Sequence, residues 1–250
     1  MQDEYVTYDP RIPKHKTYLT SFLIVLIISM YFIEVSLNAV YSDKTLIVLG
    51  AKWNEGIRNG EYWRFLSSTL LHGNLFHLFV NLAAIYIFGK EVESIFGTFR
   101  YLLVYLISSW GAGLLSFTLS QGISIGASGA IFGIIGALVI FFYRQQEKLS
   151  GAKLKFKSMY TLVIINLLFG FMIPRIDNAG HIGGLLSGVI SSWFIAPEYK
   201  IQKDENYQKL IIIKKPDSIR LISGLMVVSS ILFFLTIQAT GKRLFFSEFF

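Results

Sequence analysis

Two residues in glycine-rich settings carry the clearest chemical potential. Ser128 stands in Gly126-Ala127-Ser128-Gly129, at the head of an apolar run, and His181 stands in Gly180-His181-Ile182-Gly183-Gly184, near the head of another. A helix N-terminus offers free backbone N–H groups and a positive dipole end, which suit a serine beside which an oxyanion develops. Taken alone, Ser128 reads first as a packing serine, a common feature of helix contacts in membranes. An ionisable residue such as His181 inside an apolar run is rarer and marks a functional candidate. Its plainer reading is a histidine bonded to a neighbouring helix. Gly129 and Gly133 on one run, and Gly180, Gly184 and Gly188 on the other, make two faces that permit close helix approach. Such an approach would bring Ser128 and His181 together as nucleophile and general base.

His77 and Asn81 are spaced i, i+4 at the head of a third apolar run, so they share a helix face. Both are candidate side-chain donors to an oxyanion; interhelical hydrogen bonding is the alternative. His72, just before that run, reads as structural. Phe132, one turn after Ser128, is placed to stack on His181 or simply to pack. No carboxylate presents itself as a third catalytic member. Asp177 falls in a short loop, Glu34 at the end of the first run, and Glu91 and Glu93 at the far end of the second, so a serine–histidine dyad is expected. There is no cysteine and there are only four histidines, which argues against a metal site and leaves no cofactor to be expected.

The elements that must hold these residues follow from composition. Of 250 residues, 53% are hydrophobic and 16% charged, against about 25% charged in a typical soluble domain. Mean hydropathy is +0.54. Several apolar runs approach the ~20 residues needed to cross a bilayer as a helix. Alternating ten-residue segments typical of a β-barrel are absent. Seven spans are expected, near 18–37, 75–96, 101–119, 125–143, 158–173, 179–195 and 221–238. The polar start, without a small-residue cleavage site after the first run, reads as leading into a retained span.

Lys and Arg set the orientation. With the N-terminus cytoplasmic, 16 of the 23 fall in inner segments and 7 in outer ones, as the positive-inside rule requires. The heads of the second, fourth and sixth spans then share the outer side. The same distribution accounts for most of the +7 net charge without invoking nucleic acid. The expected organisation is an N-terminal cytoplasmic segment (1–17), a six-helix unit (18–196) with a long outer loop (39–74), a cytoplasmic linker (197–220), a seventh helix (221–240) and an outer tail (241–250).

These pieces, in this order, resemble the rhomboid intramembrane serine proteases. The matching residues are Glu61-Tyr62-Trp63-Arg64 in the outer loop, His77-xxx-Asn81 in span two, Glu93 with Gly97 and Arg100 after it, Gly126-Ala127-Ser128-Gly129 in span four, and Gly180-His181-Ile182-Gly183-Gly184 in span six. The resemblance covers about residues 43–195. It implies an all-α polytopic protein, a six-helix rhomboid bundle plus one C-terminal helix. It implies Ser128 as nucleophile, His181 as base, and an oxyanion hole from Asn81, His77 and the Ser128 backbone N–H. Phe132, Gly126, Gly129 and Gly184 would pack around the site. Trp63 and Arg64 would be structural, and span five with the loop 171–178 would form a gate and cap.

The expected activity is hydrolysis of peptide bonds in or near the spans of single-span membrane proteins, at the extracellular side of a cell membrane, a bacterial plasma membrane for preference. Partners would be those substrates and the lipid bilayer. A catalytically silent, rhomboid-like adaptor that binds spans is the alternative. A transporter would be expected to show paired inverted halves and midplane carboxylates, which are not seen.

Overall fold

A computed structural model describes residues 7–8, 14–149, 151–173, 176–204, 209–214 and 217–241. The expected outer tail, apart from Gly241, lies outside them, as does most of the N-terminal segment.

The first span is α1 (Tyr18–Ser36). The outer loop that follows is built from short helices: α2 (Asp43–Leu49), α3 (Asn54–Arg58) and α4 (Arg64–Ser67). Phe65 anchors it, buried against Trp110 and Phe117 at ring-centroid distances of 5.3 and 6.5 Å. Arg64 Nη1 donates to the carbonyls of Ile47 (2.6 Å) and Ala51 (3.0 Å), tying the loop's two halves together.

The second span is one rod, Leu75–Phe96. It comprises α5 (Leu75–Ala84), a π-helical turn at Ile85–Gly89, and α6 (Lys90–Phe96). Then come α7 (Thr98–Leu119), α8 (Ser128–Gln145), α9 (Ala152–Met172), α10 (Asn178–Ile195) and α11 (Ser218–Thr240). Six of these rods are long and apolar enough to cross a bilayer: α1, α5–α6, α7, α8, α9 and α11. The remaining one, α10, is diluted by Asn178, His181, glycines and serines. It tolerates them because it packs on α7, α8, α9 and α11, so neighbouring helices take the place of lipid along its length.

Four spans begin three or more residues from their expected starts, the third at Thr98 and not Tyr101. The fourth begins at Ser128, not Ile125, because Gly126 adopts φ +117°, a left-handed turn that a helix cannot continue through. The fifth reaches back to Ala152, taking in Lys153, Lys155 and Lys157. The seventh starts at Ser218.

Close contact of α8 and α10 is possible only through glycine. A Cβ on Gly184 would lie 1.9 Å from the Gly129 carbonyl oxygen, and one on Gly188 would lie 2.2 Å from that of Gly133. The two backbones therefore touch directly along one seam. Elsewhere the interior is apolar, with Leu23, Val92, Tyr101, Ile134 and Phe141 in one cluster and Ile27, Leu78, Ile85, Ile131 and Val163 in another.

Glu93 is fully buried and joins three elements. It accepts from the backbone N–H groups of Leu19 (2.9 Å) and Thr20 (2.8 Å) and from the hydroxyls of Thr20 (2.6 Å) and Thr98 (2.9 Å). Arg100 forks onto Asp217 at 2.5 and 2.8 Å and also donates to the Ile195 carbonyl at 2.7 Å, which docks the start of α11 beside the end of α10.

The segment expected as a plain linker carries strands. β2 (Tyr199–Asp204) pairs antiparallel with β3 (Lys209–Lys214), and β1 (Thr7–Tyr8) adds parallel to β3, giving the order β1-β3-β2. The isoleucine run at 211–213 suits a strand.

Candidate active site

Ser128 is the first residue of α8 and His181 lies in the first turn of α10. Across the glycine seam, His181 Nε2 stands 2.8 Å from Ser128 Oγ, within ordinary hydrogen-bond distance. A hydroxyl paired in this way to an imidazole nitrogen can pass its proton as the oxygen attacks. The Phe132 ring stacks on the imidazole, with centroids 4.4 Å apart and planes at 21°. His181 Nδ1 is buried and meets no hydrogen-bond partner among the described residues. The ring is thus oriented by an aromatic face and by Ser128, with no carboxylate on its second nitrogen.

The nearby acids are engaged elsewhere. Asp177 caps α10, accepting from Gly180 N at 2.9 Å, and also accepts from the Ser116 hydroxyl at 2.5 Å. Glu34 is fully buried, and both its oxygens accept from the backbone N–H of His72, at 2.9 and 3.1 Å. Glu91 pairs with Lys155 and Glu93 ties helices together, as described.

His77 lies in the first turn of α5, which Asn74 caps by accepting from His77 N at 2.8 Å. Its imidazole abuts Gly126: a Cβ there would come within 2.7 Å of His77 Nε2. The structure therefore brings His77 to the turn that leads into Ser128. Asn81 is buried one turn further along, and its amide nitrogen donates to the His77 carbonyl at 2.9 Å. One of its two N–H bonds is thus committed to its own helix. His72 is fully buried, its ring centroid 5.0 Å from that of His77. Burial, aided by the charge of His77, pulls the His72 imidazole down to about 3. Gly129 and Gly184 meet at the seam, and Gly126 supplies the left-handed turn. No group of three or more potential metal ligands occurs among the described residues.

Sequence reasoning missed Lys52 and Asn54, which bind the loop before Ser128. Their only signal was a lysine and an asparagine flanking a tryptophan in the outer loop.

The molecule is thus a multi-pass α-helical membrane protein with a serine–histidine pair at the meeting of two glycine-faced helices. The rhomboid domain model matches residues 59–198, more than half the chain, and the chain belongs to the rhomboid family. It is 39% identical over 181 residues to the rhomboid protease GluP of Bacillus subtilis, covering 71% of this chain and 34% of that protein. It is 38% identical over 149 residues to the mitochondrial RHOMBOID-like protein 6 of Arabidopsis thaliana, covering 59% of this chain and 48% of that one. With rhomboid-like protease 3 of Toxoplasma gondii it shares 33% identity over 166 residues, 65% of this chain and 63% of the relative. The chain therefore spans only about a third to under two thirds of these relatives.

Proposed function

We propose that this protein is an intramembrane serine endopeptidase that cuts membrane proteins in or near their spans through a Ser128–His181 dyad. The observation that carries the reading is the 2.8 Å approach of His181 Nε2 to Ser128 Oγ across two spans. An adaptor that merely holds other spans would have no need of it. In the proposed reaction, Ser128 Oγ attacks the scissile carbonyl carbon while His181 Nε2 takes its proton. The resulting oxyanion is held by the Ser128 backbone N–H, the free amide N–H of Asn81 and the His77 imidazole. His181 then returns the proton to the leaving amine nitrogen as the C–N bond breaks, leaving an ester on Ser128. Water, deprotonated by His181, attacks that ester and releases the new carboxylate and the serine.

Substrates would be single-span proteins whose helix unwinds locally next to α5 and α9. The orientation that fits the Lys and Arg distribution puts the N-terminus in the cytoplasm and the dyad toward the extracellular side of a cell membrane. The first 17 residues would then be cytoplasmic, 18–196 the protease unit and 197–220 a cytoplasmic segment before the seventh helix. No metal or cofactor enters the reaction.

The deciding experiment reconstitutes the purified protein with a single-span substrate in proteoliposomes. Wild type should cleave and Ser128→Ala should not, while both retain the same helical content. Cleavage that persists undiminished in Ser128→Ala would remove the assignment.

A further inference from the structure

Lys52 is an unusual residue for its place. It stands in the outer loop just before α3, yet it is 1% exposed. Its ammonium donates to the carbonyls of Ser120 and Gly122, both at 2.9 Å. Its backbone forms a two-way antiparallel bridge with Ser124, with N···O distances of 3.0 and 3.1 Å. Two residues on, the Asn54 amide donates to the carbonyls of Phe117 (3.3 Å) and Ser120 (3.0 Å). Gly126 N closes the set by donating to Ser68 O at 2.9 Å. The outer loop therefore grips the whole connection between α7 and α8, up to two residues before Ser128.

Burying a lysine is costly unless its charge is matched. Burial pulls the Lys52 ammonium down to about 8, and the Asp177 carboxylate works against that fall. Asp177 in turn caps α10, four residues before His181. One side chain thus bonds the loop that sets Ser128 and lies in the field of the acid that starts the helix bearing His181.

We infer that Lys52, with Asn54 beside it, is a positioning residue for Ser128, the nucleophile of the proposed dyad. It fixes the direction in which α8 starts, and hence where the Ser128 hydroxyl and backbone N–H point. This rests on the proposed role of Ser128. It extends the chain of contacts from Arg64, which holds the Ala51 carbonyl next door, to Gly126, two residues before Ser128. Lys52 touches no substrate. Its contribution is geometric, and misplacement of a reacting group by about 1 Å costs on the order of 100-fold in rate.

The test compares wild type, Lys52→Met and Asn54→Ala in proteoliposomes. The probes are the rate of Ser128 labelling by a fluorophosphonate and kcat and KM on a single-span substrate. Lys52→Met is expected to lower labelling and kcat by about 100-fold and Asn54→Ala by about 10-fold, with KM within twofold of wild type. A stability defect alone would instead lower the amount of active protein and leave the labelling rate of the folded fraction unchanged. If Lys52→Met does not fold, Asn54→Ala decides, and wild-type labelling in it overturns the proposal. Hydrogen exchange on the wild type decides independently of either variant. The Ser124 and Gly126 amides must be protected, and fast exchange there overturns the proposal. Absence of labelling at Ser128 in the wild type would defeat the proposed function itself. Normal wild-type labelling that Lys52→Met leaves intact would defeat this inference alone.

Discussion

Gly184→Ala puts the geometry of the dyad to a quantitative trial. The added Cβ would sit 1.9 Å from the Gly129 carbonyl oxygen, where side chains do not approach backbone closer than 3.0 Å. The α8 and α10 backbones must therefore part by at least about 1.1 Å. Gly129 follows Ser128 directly, and Gly184 is one turn from His181, so the parting falls on the Ser128–His181 pair. Directed along the 2.8 Å hydrogen bond, it stretches the pair to about 3.9 Å, past the limit of a hydrogen bond. The expected outcome is a loss of about 100-fold in kcat and in fluorophosphonate labelling. Thermal stability should fall by about 1–3 kcal/mol, the usual cost of overpacking. Gly188→Ala is the control, because its Cβ would lie 2.2 Å from Gly133 O, equally crowded but one turn further from the dyad. It should lose similar stability and much less activity. If Gly184→Ala keeps activity within twofold of wild type, or loses no more than Gly188→Ala, the seam does not set the serine–histidine distance.

Two further outcomes follow from the same geometry. Phe132→Leu removes the ring stacked on His181, a contact worth about 0.5–1.5 kcal/mol, so kcat should fall roughly two- to tenfold with KM unchanged, while Phe132→Tyr keeps the face and most of the rate. Steady-state kinetics on one substrate check this, and a leucine variant with wild-type kcat would show the stack to be idle. His72, held near 3 against an ordinary 6.5, makes stability acid-sensitive. The unfolded chain takes up its proton first, so the contribution is complete above about pH 6.5 and drains away as pH falls toward 3. Thermal unfolding in detergent between pH 7 and 4 should show this loss, and His72→Asn should reduce it.

Much of the spanning architecture was legible in the residues, because hydrocarbon leaves a chain few options. Every backbone polar group must be satisfied internally, so length and hydropathy alone mark α1, α5–α6, α7, α8, α9 and α11 as helices. Even α10, too polar to qualify on those grounds, was expected as an apolar run, with glycines every four residues along it. That spacing also marked the face it turns to α8. Ser128, His181, His77 and Asn81 stood out because polar groups in such a setting are expensive and few.

What only the tertiary structure decided concerns partners distant in sequence. Glu34, Glu93 and Asp177 looked alike as carboxylates near span ends. Their different duties depend on which backbone N–H or hydroxyl the fold delivers to them: His72 for the first, Leu19, Thr20 and Thr98 for the second, Gly180 and Ser116 for the third. That Nδ1 of His181 meets no partner among the described residues was likewise invisible until its surroundings existed. Lys52 is the sharpest case. In the sequence Lys52 counts only as one of the outer charges, and only the approach of residues 120–124, about seventy positions away, makes it a buried clamp. Composition and local periodicity set which segments become helices, because those forces act between neighbours and solvent. The assignment of each buried polar group needs the long-range packing that sets its partner, and that exists only once the helices have met.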